Sequence, residues 1–358
     1  MSMWFLSNKR LFSKPAKADH DRGAVLLWFS VMAVAMVGMG ALVVDVGALW
    51  SERRQLQNGA DAAALSVATE CAFSTCTGTS ALAVQYANFN AEDSRSDLEL
   101  LCGVGPGLSA CPSPPPGTGS TIANYVHVKT NTKTAGGGDL IDFLLAPVLD
   151  SANTGKSVSA SATVAWGVPT SAPVLPLTFP LCWFPQGIVQ PNGTLMFPPT
   201  AIKFDLQNTG QCPPPLGGPD GFDFTEDLAG DCSISKVTIT NGSANIPAGP
   251  SGTNTACRTV IAGLMGKTAI FPVASGYTSA GSSSFYTVKS FAAITICGYA
   301  LGGGFIANSC TPSSLCAGSP SQNRICGVFA PAVIQDGEIG GVVGGPNDFG
   351  VRVIKMIG

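Results

Sequence analysis

The chain is poor in charge. Only 11% of its 358 residues are Asp, Glu, Lys or Arg, and only two are histidines, His20 and His127. Disordered chains are more polar and more charged than this, so extended disorder is excluded as the dominant state. No basic patch or stripe of the kind that grips phosphates runs through it, which argues against nucleic acid as a partner. The scarcity of histidine restricts catalysis and metal binding alike. No cysteine precedes Cys71 and no C-x2-C pair occurs, so the clustered Cys/His spacing of a zinc site is missing. The glycine-rich stretches "ALGGGFIAN" and "GEIGGVVGGPN" lack a Walker lysine or a dinucleotide fingerprint and read as tight turns. No cofactor, metal, small-molecule substrate or catalytic residue is expected.

One uncharged, mostly apolar run stands out instead. Ala24 to Val44 reads "AVLLWFSVMAVAMVGMGALVV", and a helix of that length spans about 30 Å, the thickness of a bilayer core. A secretory signal has a shorter apolar region, about 7–15 residues, followed by a small-residue cleavage site. The length therefore favours a retained anchor over 24–49. Residues 1–22 carry five basic side chains (Lys9, Arg10, Lys14, Lys17, Arg22) against Asp19 and Asp21, whereas the remainder carries 14 basic against 20 acidic. That asymmetry predicts a cytoplasmic basic tail, 1–23, with the bulk of the chain extracytoplasmic.

The cysteines agree with this topology. All twelve lie beyond the span: Cys71, Cys76, Cys102, Cys111, Cys182, Cys212, Cys232, Cys257, Cys297, Cys310, Cys316 and Cys326. An even number confined to one side is the pattern of a disulfide framework in an oxidising compartment. Sequence does not fix the pairing; Cys71 with Cys76, Cys102 with Cys111 and Cys232 with Cys257 are the simplest near-neighbour choices.

Beyond the span comes "DVGALWSERRQLQNGADAAALSVA", residues 45–68. Small residues recur every seven positions (Ala33, Gly40, Gly47), a spacing that brings one helix face close to a neighbour in a membrane. Leu49, Leu56, Ala60, Ala63 and Val67 continue a stripe at helical spacing, and the alanines favour helix. One unbroken helix to about Ala68 is predicted. Its stripe packs either on a partner helix or on this chain's own outer region. Asp45, at the membrane edge, either pairs with a partner's cation or sits solvated among headgroups, and the second is expected.

The segment Arg22 to Ala68 resembles the N-terminal segment of TadG-like proteins of Flp (Tad) pilus assembly. The elements that carry the likeness are Arg22-Gly23 opening the span, Asp45-Val46-Gly47 at its outer end, the pair Leu56-Gln57, and the run Asp61-Ala62-Ala63-Ala64-Leu65. A fainter likeness reaches "VSASATVAW", Val158 to Trp166, similar to a strand that closes the first outer module in related proteins. The resemblance implies a membrane-anchored accessory component of a pilus machine, with other pilus-assembly or pilin-like membrane helices as partners. Pilin-type processing after Gly23 expects a glutamate where this chain has Trp28, so the span is expected to be kept.

Further on, a second helix is predicted near Ala81 to Asn88, and a helix capped by Asp139 with Leu140, Ile141, Leu144, Leu145 and Val148 at helical spacing. Strands are predicted at "NYVHVKTNT", with Tyr125, His127 and Lys129 on one face and Val126 and Val128 on the other, and at 158–166. These complete a small α+β module over 50–170. From Ser171 onward "SAPVLPLTFP" reads as a linker or edge segment. Asn192-Gly193 and Asn241-Gly242 are hairpin signals, and "FYTVKSFAAITICGYAL" and "FGVRVIKMIG" read as strands. The expected fold class is α+β, with a long transmembrane helix, the small module, and a mostly β, loop-rich, disulfide-containing domain over 171–358.

Asp231, Ser233 and Ser235 fit the pattern of a metal-ion-dependent adhesion site but lack the apolar strand that should precede it, so chance is the better account of the match. The acids Asp220, Asp223, Glu226 and Asp227 read as a solvated turn, and His127 as a solvent-facing strand residue without a nucleophile motif beside it. An assembly protein working through helix packing is therefore the leading expectation. The alternative is an anchored envelope-binding or adhesion module in which the helix is only a tether.

Overall fold

The computed structural model describes residues 20–183, 201–205, 222–249 and 255–358, apart from 93, 120–121, 135, 150, 153, 227–229, 233, 281–282, 318–322, 342, 344 and 346–347. One helix, α1 (His20–Phe73), runs 54 residues without a break. A second, α2 (Thr79–Phe89), lies back against it. The strands that follow are β1 (Ser96–Val104), β2 (Asn124–Thr132) and β3 (Ile141–Asp142). After the single turn α3 (Ala146–Leu149) come β4 (Gly155–Lys156), β5 (Ser159–Val174), β6 (Leu177–Pro180), β7 (Ile202–Asp205), β8 (Asp223–Phe224), β9 (Ser235–Thr238) and β10 (Ala244–Pro247). A short helix, α4 (Thr255–Gly263), leads into the long pair β11 (Thr268–Ala280) and β12 (Ser283–Leu301). The chain ends with β13 (Phe305–Asn308), β14 (Arg324–Phe329), β15 (Ala332–Ile334), β16 (Glu338–Gly341) and β17 (Val351–Met356).

These strands form two large sheets. The first has the order β1-β2-β5-β17-β15, with β16 and β9 also paired to β5. The second has the order β7-β14-β12-β11-β6-β8, with β10 and β13 on β12. The first sheet takes strands from far apart in the chain: β17 pairs antiparallel with β5, Val353 opposite Gly167 and Met356 opposite Val164. The C-terminal strand thus completes the module around the helix.

The larger apolar clusters follow from this layout. Ala60, Ala63, Ala64, Val67 and Ala68 of α1 pack with Ala83 and Ala87 of α2 and with Val126, Val128, Val164 and Trp166 of the first sheet. Alanines let helix and sheet approach closely. Phe179, Phe204, Phe222 and Phe271 form the centre of the second cluster, with the Phe179 ring edge-on to Phe204 and Phe271 at centroid separations of 4.7 and 4.9 Å, the geometry aromatic quadrupoles favour. Ala172, Val174, Phe291, Val351 and Val353 pack between the sheets.

Five disulfides pin the loops: Cys71–Cys76, Cys102–Cys111, Cys232–Cys257, Cys297–Cys310 and Cys316–Cys326. The three near-neighbour choices made from sequence are among them. Cys182 is also disulfide-bonded, and Cys212 lies outside the described residues.

Several expectations need correction. "SAPVLPLTFP" is not a linker: β5 runs on through Ser171 to Val174 and β6 follows, both largely buried, so this stretch carries the chain from the first sheet into the second. Pro173 fits because β5 there pairs with the short β9 at the end of the sheet. The Asn241-Gly242 turn does form, both residues having positive φ, 52° and 81°. Its two strands then part, however: β9 joins β5 and β10 joins β12 in the other sheet. Asn192-Gly193 lies outside the described residues. The helix expected from Asp139 is replaced by β3, a bend and the four-residue α3, for a reason supplied by Asp45.

Candidate functional site

The helix α1 divides into two halves of different character. From Val25 to Val44 its large apolar side chains are exposed, and the most apolar window has a mean hydropathy of 2.2 with none of it buried. A soluble protein does not expose that much contiguous apolar surface. The helix is long and apolar enough to cross a membrane. Ala33 and Gly40 are half-buried and Gly47, just beyond this stretch, is exposed, and a Cβ added at Gly40 or Gly47 would meet nothing within 4 Å. From Gln55 onward the helix is core: Leu56, Ala60, Ala63 and Val67 are buried against the chain's own sheet and second helix. Of the two packings open to the stripe, its outer half takes the intramolecular one.

Residues of the motif segment tie the module to the helix. Gln57 Nε2 donates to the backbone carbonyl of Ser161 in β5 at 3.0 Å and to Asp61 Oδ1 at 2.7 Å. The Thr130 hydroxyl of β2 donates to the carbonyl of Leu56 at 3.0 Å. Gln55 accepts the Glu92 amide at 2.9 Å just beyond α2. Gly59 lies under α2 with Ala87 O only 3.1 Å from where a Cβ would stand, so the two helices meet backbone to backbone. Ala63 and Ala64 are fully buried, Ala62 is half-buried, and Leu65 is exposed.

Asp45 is not solvated. It is 6% exposed, and its carboxylate accepts the amides of Leu144 (2.9 Å to Oδ1), Leu145 (3.4 and 3.2 Å to the two oxygens) and Ala146 (2.7 Å to Oδ2). These are the donors that precede and open α3, which a helix leaves unsatisfied. The carboxylate consumes them from a helix 99 residues earlier in the chain, with the charge placed where a helix start favours it. The flanking residues pair as β3 and β4, Ile141 opposite Lys156. Together these contacts override the helical periodicity of 139–148.

The far end of α1 is fixed by the last strand. Arg352 in β17 is fully buried; its Nε donates to the carbonyl of Ala72 at 2.8 Å, and its Nη1 pairs with Asp348. The guanidinium lies over the Phe73 ring, 5.8 Å from its centroid. A cation at a helix C-terminus offsets the partial charge of the last carbonyls. Sequence reasoning missed this residue; a lone arginine in an alternating strand near the terminus was its only signal.

The candidate chemical groups are dispersed. His127 Nδ1 is 2.9 Å from the Thr163 hydroxyl on the neighbouring strand, and burial, with Lys129 beside it, lowers its pKa below 6.5. Asp223 is buried rather than solvated: it accepts the Tyr286 hydroxyl and the Phe224 amide. Burial first, then the bond to Asp223, raises the Tyr286 pKa. Asp231 is exposed, Ser235 opens β9, and Ser233 lies outside the described residues, as do Asp220 and Asp227. The sulfurs of Cys310, Cys316 and Cys326 lie within 4.8 Å of one another, but each belongs to a disulfide and has no thiolate to offer a metal. An open apolar pocket of about 500 Å³ lies between the end of β5, α4 and β11, with Leu175, Ile234, Val260 and Leu264 in its wall.

Residues 23–70 match the Tad family, described as "Putative Flp pilus-assembly TadE/G-like". The match covers the exposed apolar half of α1 and the half that forms the core of the module, and stops just before Cys71. No curated protein and no solved structure matches the chain.

Proposed function

We propose that this protein is a membrane-anchored structural component of Flp pilus assembly, which works by helix packing in the bilayer and carries its globular part on the outer side. The observation that carries the reading is the continuity of α1. A single helix is both an exposed apolar span and the central core element of the module, and it coincides with the segment similar to pilus-assembly proteins. A tether would need only a flexible joint between span and domain. A helix without a joint fixes the module's orientation relative to whatever the span packs against.

The outer half of the stripe is occupied within the chain, which leaves Ala33, Gly40 and Gly47 as the face for another membrane helix. Small residues at such spacing permit the close backbone approach on which helix association in lipid depends. The cluster of basic residues ahead of the span supports a cytoplasmic N-terminus, and the disulfides support an oxidising compartment for the rest. The role is one of assembly, not catalysis.

Gly40→Leu and Gly47→Leu test this. A Cβ added at either position meets no atom of the chain within 4 Å, so both variants are expected to fold with native disulfides and accumulate in the membrane, while pilus assembly falls at least tenfold. Normal piliation in both would refute helix packing as the mode of action and return the tether reading.

A further inference from the structure

We propose that residues 139–149 form an arm that rests on the lipid surface beside the span, with Leu144 and Leu140 inserted at the boundary between headgroups and acyl chains. The proposal rests on the reading of α1 as a membrane span.

The position of the arm is set by Asp45. Gln55 and Leu56 of α1 contact the body of the module through Glu92 and Thr130. Asp45 lies ten residues nearer the N-terminus, roughly 15 Å lower along the axis at 1.5 Å per residue. The chain leaves β2 at Thr132, descends that distance, gives the amides of Leu144, Leu145 and Ala146 to Asp45, and returns to β5 at Ser159. Asp45 directly follows the uncharged run that ends at Val44. The arm is therefore held at the level where the apolar span ends, alongside the helix and not above it.

What the arm shows at that level is apolar. Leu144 is 72% exposed and Leu140 47% exposed, though both lie in a segment whose backbone is fastened down. Phe143 and Leu145 are half-buried beside them. The charged groups of the same arm, Asp139, Asp142 and Lys156, are exposed on the short β3–β4 hairpin and its approach, a placement suited to the headgroup layer. Trp50, 59% exposed with the Arg54 guanidinium 3.8 Å above its ring, lies just over one turn beyond Asp45. An aromatic ring paired with a cation at that height is the composition of the membrane interface. Lipid is the occupant continuous with the span's own apolar surface, and it covers Leu144 without any further protein.

The test uses the full chain in vesicles of phosphatidylcholine and phosphatidylglycerol, with or without brominated acyl chains that quench tryptophan. Leu144→Trp adds one fluorophore at the tip of the arm. Ile234→Trp adds one at an exposed apolar site beside the opposite end of β5 from the arm, next to Ser235, which pairs with Val174. The unmodified chain carries five tryptophans, of which Trp28 and Trp50 lie on α1 in and beside the span, and its quenching reports insertion of the span. The emission added by Leu144→Trp is expected to be quenched at least threefold more than that added by Ile234→Trp. Combining Leu144→Trp with Asp45→Ala is expected to reduce that difference. If the unmodified chain is quenched but the Leu144→Trp increment is not, the arm is refuted and the span stands. If the unmodified chain is not quenched either, the span reading falls and the arm with it. A protein partner covering the arm in place of lipid would leave the increment unquenched and so also refutes the proposal.

Discussion

Replacing Asp45 with alanine removes an acceptor shared by three backbone amides and leaves the helix that bears it intact. Two of the bonds, to Leu144 at 2.9 Å and Ala146 at 2.7 Å, are short; the third, to Leu145, is divided between both oxygens at 3.4 and 3.2 Å. Hydrogen bonds to a charged group contribute about 1.5–3 kcal/mol each. Taking about 1.5 kcal/mol for the two short bonds and nothing for the third gives about 3 kcal/mol. At about 1.4 kcal/mol per factor of ten, the opening equilibrium of the arm should rise on the order of a hundredfold. Amide hydrogen exchange read by mass spectrometry on the peptide covering 139–149, with the full chain in bilayers, measures that opening directly. Amides of β2, such as those of Val126 and Val128, serve as the reference for the body of the module. Asp45→Asn keeps one acceptor oxygen and loses the other, so it should release the Leu144 end or the Ala146 end but not both. An increase below about tenfold in Asp45→Ala, with β2 unchanged, would refute the view that this carboxylate holds the arm in place.

Two further outcomes follow from the buried polar groups. Arg352→Met should lower the free energy of unfolding by about 3–5 kcal/mol, because it removes the cation paired with the buried Asp348 carboxylate and the donor to the Ala72 carbonyl. Denaturant unfolding in detergent checks this, and a loss under about 1 kcal/mol would mean that β17 does not depend on the pair. His127 supplies a pH dependence: its folded-state pKa lies below 6.5, chiefly through burial, so the folded state binds its proton less well than the unfolded one. Its contribution is present above pH 6.5 and is lost as pH falls through the lower folded value. An NMR titration of the ring should place its midpoint below 6.5, and His127→Gln should flatten the stability profile in that range.

What sequence could reveal divides by distance along the chain. The span, the long helix, the alternation of Val126 and Val128 against His127 and Lys129, and three disulfides between cysteines 5, 9 and 25 positions apart are local and were legible from hydropathy, period and spacing. The fate of 139–148 was not. Its helical period is real, but its amides are taken by a residue 99 positions away. The Asn241-Gly242 turn was legible as a turn. That its flanking strands enter different sheets depends on which neighbours are already in place on β5 and β12. Arg352 reaches a carbonyl 280 residues away, and no local pattern marks an arginine for that position.

The motif segment takes on a different meaning once its partners are identified. Asp45, Gln57, Ala63 and Ala64 carry the family likeness, and the stripe of Leu56, Ala60, Ala63 and Val67 reads as packing either on a partner helix or on the chain's own outer region. In the fold each is used within the chain: for the arm, the first sheet, the second helix and the core. The outer half of the segment therefore encodes how a rigid module is mounted on a helix, and changes there should act through folding. The inner half, where a Cβ at Gly40 or Gly47 would meet nothing within 4 Å, is where the proposed contact with another membrane helix would be made. Since α1 passes from one half to the other without a cap or break, the proposed packing of the span on a neighbouring helix predicts that rotation or tilt of the span would be carried to the module as rigid-body motion. A flexible insertion between Trp50 and Gln55 would separate the two roles. Combined with Asp45→Ala, which frees the arm from the span side of the insertion, it is expected to leave membrane insertion and the body of the module intact and to remove the mechanical coupling that the proposed assembly role requires.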